Sequence, residues 1–77
     1  MKSKTECVFD KFSAKLIEEK VVTKQECTLI ARRGTRKERF WKRHVLDLAK
    51  YALDNKELSG ELEELCRLMI QWCKKKP

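Results

Sequence analysis

Glycine and proline are nearly missing from this chain. Its 77 residues include two Gly and one Pro, and that Pro is the last residue. Hairpins and tight turns draw on these residues, so a β-rich fold has little to be built from and helices are expected. Metal-site spacing is missing too. Cys7, Cys27, Cys66 and Cys73 form no C-x-x-C pair, and His44 is the lone histidine. A zinc site would need ligands from three helices without a short chelating pair, so no metal is expected. Cys66 and Cys73 are two helical turns apart, a rise of about 10 Å, which is too far for a disulfide between them. All four cysteines fall on or near apolar stripes and are expected to be reduced core residues.

No apolar run approaches the roughly 18 to 20 residues of a membrane span. Met1 is followed by Lys-Ser-Lys-Thr-Glu rather than an apolar segment, so no secretory signal is expected. The expected location is intracellular, cytoplasmic or nuclear, where thiols stay reduced. No nucleophile–base pair, paired-carboxylate site or Gly-rich phosphate loop can be assembled, so neither catalysis nor a cofactor is expected.

What is present is charge on a thin apolar framework. Apolar residues make up 42% of the chain, too many for disorder, while charged residues reach 40%. The length allows a single helical domain, residues 1–77, near the lower size limit for unaided folding.

The capping pattern S/T-x-x-E occurs three times, at Ser3–Glu6, Thr23–Glu26 and Thr35–Glu38. In each, the hydroxyl can accept from the third helical amide while the Glu reaches back to the cap amide. With apolar periodicity this predicts helices over 4–19, 24–33, 36–54 and 60–75. The first buries Val8, Phe9, Phe12, Leu16 and Ile17. Val21 and Val22 form a staple before the second, which buries Cys27, Leu29, Ile30 and Ala31. Gly34 suits a helix C-cap. Ser59 caps the fourth, whose stripe is Leu62, Leu65, Cys66, Met69, Trp72 and Cys73. Early Glu61, Glu63 and Glu64 and late Lys74, Lys75 and Lys76 suit its dipole. The expected fold is a compact all-α bundle of three to four helices with a long central basic helix.

That basic helix holds the main functional signal. Of the net charge of +7, residues 32–44 supply most, with seven basic groups and one acid. Self-repulsion in a small domain costs stability, so clustered charge points to a binding surface. On a helical wheel Trp41, Val45, Leu48, Ala49 and Ala52 face the core, and Arg36, Arg39, Arg43 and Lys50 lie roughly opposite. Phe40, His44 and Tyr51 lie on one flank between them. Arg36, Lys37 and Arg39 crowd the positive end of the helix dipole, with Arg32 and Arg33 just before it. Each cation there costs a few tenths to about 1 kcal/mol. Local stability gains nothing from this choice, whereas an incoming phosphate finds amides, a dipole and arginines together.

The expected function is non-enzymatic nucleic-acid binding, RNA slightly ahead of DNA, by a small regulator or accessory factor. Arg32, Arg33, Arg36, Lys37, Arg39, Lys42 and Arg43 would contact phosphates, and Phe40, His44 or Tyr51 would stack. The alternative is a protein-interaction module, an adaptor or inhibitor docking on an acidic or apolar partner. A homodimer through residues 60–75 is also expected, because that helix carries more apolar surface than one neighbour covers.

A standard helix-turn-helix with Gly34 as its turn glycine requires a small residue at 30 and apolar residues at 33 and 43. This chain has Ile30, Arg33 and Arg43 there, so the standard motif is not expected, whereas a looser helical DNA or RNA binder fits. The stretch Leu16–Leu53 resembles the middle of a caspase-recruitment (death-fold) domain. The likeness rests on an apolar pair, a Val21-Val22-Thr23 turn, an Ile before a Thr-capped helix, and the Val45-Leu46-Asp47-Leu48 run. It covers about half of the chain, and the six helices of that domain exceed the four read here.

Overall fold

The computed structural model describes residues 4–31 and 38–75, with Glu38 and Arg39 as backbone only. Four helices follow one another: α1 (Lys4–Glu18), α2 (Lys24–Ile30), α3 (Glu38–Asn55) and α4 (Gly60–Lys74). The chain is a compact all-α bundle, and no strand occurs among the described residues. The Ser3 cap, Gly34 and the Thr35 cap lie outside the described residues.

Phe9, Phe12 and Leu16 recur at helical spacing and are buried on the inner face of α1. Thr5 and Ser13 share that face and are buried too. The Ser13 hydroxyl is satisfied locally, donating to the Asp10 carbonyl at 3.1 Å. The helix ends in a Schellman motif. The Lys20 amide donates to the Ile17 carbonyl at 3.0 Å and the Val21 amide to the Leu16 carbonyl at 2.9 Å. Lys20 takes the left-handed position at φ 60°, where glycine is usual.

Thr23 then caps α2 with both halves of the capping box. Its hydroxyl accepts from the Glu26 amide at 3.1 Å, and Glu26 Oε1 accepts from the Thr23 amide at 2.8 Å. Val22 before the cap and Cys27 four residues after it are both buried, as a hydrophobic staple requires. With 7 residues, α2 is too short to be stable alone and depends on this packing. It stops at Ile30, earlier than the expected end at 33, with Ala31 as its cap. Leu29 is corrected from core to surface, at 72% exposure. It lies two positions from Cys27, about 200° around the helix, so burying one exposes the other.

α3 is the central element, packed against all three other helices. Val45, Leu48, Ala49 and Ala52 are fully buried along it, and the two alanines let neighbouring backbones approach closely. Its connection to α4 is four residues long, 56–59, so the two helices run antiparallel. Ser59 caps α4, its hydroxyl accepting from the Leu62 amide at 3.4 Å. At the far end the Cys73 thiol donates to the Lys42 carbonyl of α3 at 3.3 Å. Leu62 and Cys66 are the buried residues of α4.

The cysteines divide. Cys27 and Cys66 are buried and Cys73 is half-buried, but Cys7 is exposed, which corrects its assignment to the core. Burial raises the thiol pKa of Cys27, Cys66 and Cys73. Among the described residues no helix is long and apolar enough to cross a membrane.

Candidate nucleic-acid interface

The basic segment meets the bundle at the first half of α3. Arg32, Arg33, Arg36 and Lys37 lie outside the described residues, and Arg39 is described as helix backbone alone. The others are placed by the phase of the helix. Since Val45, Leu48 and Ala52 face inward, positions 40, 43 and 50 face out, and Phe40, Arg43 and Lys50 are exposed. The Arg43 side chain is 71% exposed, and its Nε donates to Asp47 Oδ1 at 3.1 Å along the same face. An exposed pair of this kind contributes little to stability, so the guanidinium can be redirected cheaply. Asp47 also bounds the patch, because beyond it the outer face of α3 carries both signs of charge.

Two of the expected stacking rings are committed elsewhere. His44 is 5% exposed and belongs to the core. Its ring lies 5.3 Å from that of Trp41, nearly perpendicular at 89°, and 6.3 Å from that of Phe9. Phe9 and Trp41 are themselves 5.3 Å apart. Edge-to-face packing of this kind is favourable and leaves no open ring face for a base. His44 is therefore corrected from the flank to the interior, because α1 covers the side of α3 that a single-helix wheel leaves open.

Tyr51 is half-buried against α2, its hydroxyl donating to Glu26 Oε2. Lys56 Nζ reaches the same oxygen at 3.3 Å and lies 5.7 Å from the Tyr51 ring centroid. The Tyr51 bond, then the Thr23 amide, and then Lys56 stabilise the Glu26 carboxylate, holding its pKa down at about 2. The same bond raises the Tyr51 pKa. Tyr51 thus ties α2 to α3, which corrects its assignment as a stacking ring. Phe40 is 38% exposed on the outer face of α3, near Arg43.

Folding also brings the C-terminal end of α4 beside the first half of α3. Lys42 is half-buried, and its Nζ sits 5.5 Å from the centroid of Trp72 on α4. A cation over an indole face at that distance is attracted by the ring quadrupole. Trp72, Lys74 and Lys75 at the end of α4 thereby lie beside the basic half of α3 and extend its positive surface. Lys74 and Lys75 are visible in the sequence, but their neighbourhood follows from antiparallel packing, and Lys76 lies outside the described residues. Among the described residues no three His, Cys, Asp or Glu side chains are grouped so as to hold a metal ion.

No family model, curated protein or solved structure matches this chain.

Proposed function

We propose that this chain is a small non-enzymatic nucleic-acid-binding protein acting as a regulator or accessory factor, with single-stranded RNA favoured over duplex DNA. The observation that carries the reading is the charge partition. Residues 32–44 hold seven basic groups and one acid within a chain of net charge +7. Phosphate contact by such a cluster releases counterions, which drives binding without any sequence readout. Lys42, Arg43 and the Lys74–Lys75 end of α4 are the described contributors, and Arg32, Arg33, Arg36, Lys37 and Arg39 supply the rest. Phe40, on the same face as Arg43, offers one ring to an unstacked base. A splayed RNA base can reach it whereas a paired base cannot, which favours RNA.

Fluorescence anisotropy with a single-stranded RNA and a duplex DNA, each over a salt series, tests this. Affinity should fall steeply with salt, with a log–log slope of about −0.7 per phosphate contacted on the single strand. Replacing Arg36, Arg39 and Arg43 together with Glu should abolish binding and leave the melting temperature nearly unchanged. Replacing Lys20 and Lys24 with Glu, exposed around the α1–α2 turn, should change binding far less. Phe40→Ala should cost about 1–3 kcal/mol on RNA and little on the duplex. If the triple variant unfolds, or binds as tightly as the wild type, the proposal fails. Salt-insensitive binding to a protein partner instead would favour an adaptor or inhibitor.

A further inference from the structure

The outer face of α4 carries a second pattern, independent of the basic segment. Glu61, Glu64, Leu68 and Gln71 recur at alternating spacings of three and four, with Lys75 following in step, and all five are exposed. Residues so spaced lie along one line of the helix surface, able to face a single partner helix. Leu68 at its centre is 52% exposed, although it is a large apolar side chain. Beside it lies a shallow depression of about 580 Å³ lined by Leu68, Gln71, Trp72, Lys74 and Lys75. Charge along that line is divided by position, acidic at Glu61 and Glu64 and basic at Lys75, while the exposed Arg67 beside it is paired with Glu63 at 2.7 Å.

We infer that α4 pairs antiparallel with α4 of a second copy, about a two-fold axis at Leu68. A two-fold axis across a helix sets residues equally distant from its centre against one another. The two Leu68 side chains then meet, each beside the other copy's depression. The Glu61–Glu64 end of one copy lies along the Lys74–Lys75 end of the other, twice over. A parallel pairing would instead set acid against acid and base against base, so the charge pattern selects the antiparallel one.

The arrangement also resolves the repulsion expected between two chains of net charge +7. Lys42 of α3 packs beside Trp72 and Cys73 of α4, so Lys42 and Arg43 of the two copies sit at opposite ends of the pair. About 20 Å of helix separates them, more than twice the Debye length of about 8 Å at physiological salt. One helix per copy buries a small interface, which places the dimer in the weak class that forms at micromolar concentration or above.

Sedimentation equilibrium in nucleic-acid-free buffer, from low micromolar to sub-millimolar concentration, tests the pairing apart from the proposed function. The weight-average mass should rise from 9.2 kDa towards twice that value. Leu68→Glu alters an exposed position, so it should keep the thermal melt and remain at monomer mass throughout. Glu61→Lys with Glu64→Lys, and Lys74→Glu with Lys75→Glu, should each be monomeric alone and dimeric when mixed. A wild-type mass fixed at 9.2 kDa overturns the inference. So does a dimer that survives Leu68→Glu, or a mixture of the two charge-reversed chains that stays monomeric.

Discussion

Glu26 is the residue on which three parts of the chain converge. It completes the Thr23 cap, accepts from the Tyr51 hydroxyl of α3 and pairs with Lys56 beyond the end of α3. Its carboxyl has a pKa of about 2 when folded, against 4.5 ordinarily. A carboxyl depressed on folding contributes stability that is fully present above the unfolded value. That contribution is lost as pH falls through the folded value. Stability from this group should therefore be constant above about pH 5 and decline between pH 4.5 and about 2. In Tyr51→Phe the largest cause of the depression is removed, so the Glu26 carboxyl should titrate closer to its ordinary range. The stability gap between the variant and wild type should be widest near neutral pH and narrow in acid. Carboxylate NMR titration with urea unfolding at several pH values checks both. An unchanged Glu26 titration in the variant would contradict the role given to Tyr51.

At the scale of elements, the helix ends carry most of the local information and one conflict. The end of α1 has the hydrogen bonds of a Schellman motif with Lys20 where glycine is usual. A left-handed conformation costs an L-residue roughly 1–2 kcal/mol. Glycine removes that cost but gives back about 0.5–1 kcal/mol through the greater freedom of the unfolded chain. Lys20→Gly should therefore stabilise the domain by up to about 1.5 kcal/mol. Lys20→Ala retains the strain and should gain nothing. Parallel urea melts of the two variants decide this, and a Gly variant less stable than wild type would refute it. The short α2 depends on the same region, since its cap, its staple and the Tyr51 bond all form within the few residues after that turn.

For the whole molecule, packing of α3 against its neighbours decides which side chains remain reachable. Cys27 and Cys66 sit in the core at 6% and 0% exposure, Cys73 is half-buried against α3, and Cys7 is exposed. Thiol labelling of the native protein should modify Cys7 rapidly, Cys73 more slowly, and Cys27 and Cys66 only through opening of the bundle. Burial also raises the pKa of those three thiols and lowers their thiolate fraction further. Mass spectrometry over a labelling time course gives the order. Labelling of Cys66 as fast as Cys7 would mean that α4 does not pack on α3 as described.

The sequence by itself determined the all-α class, the four helices and most of their bounds. Caps and turns are local, so Thr23–Glu26, Ser59 and the apolar periodicity are readable without knowledge of any neighbour. It determined the concentration of positive charge in residues 32–44 as well, because charge is counted rather than folded. Tertiary structure decided what became of the flanks. A wheel gives the phase of His44, Tyr51 and Cys7 on their own helices, but not which side another helix will cover, whereas the exposure of Leu29 follows from its phase against Cys27. α1 closed over His44, α2 claimed Tyr51, and Leu29 and Cys7 stayed exposed. The antiparallel return of α4 carried Trp72, Lys74 and Lys75 to Lys42, some thirty residues away in the chain. Burial of a flank depends on contacts distant in sequence, and helical periodicity holds no information about those.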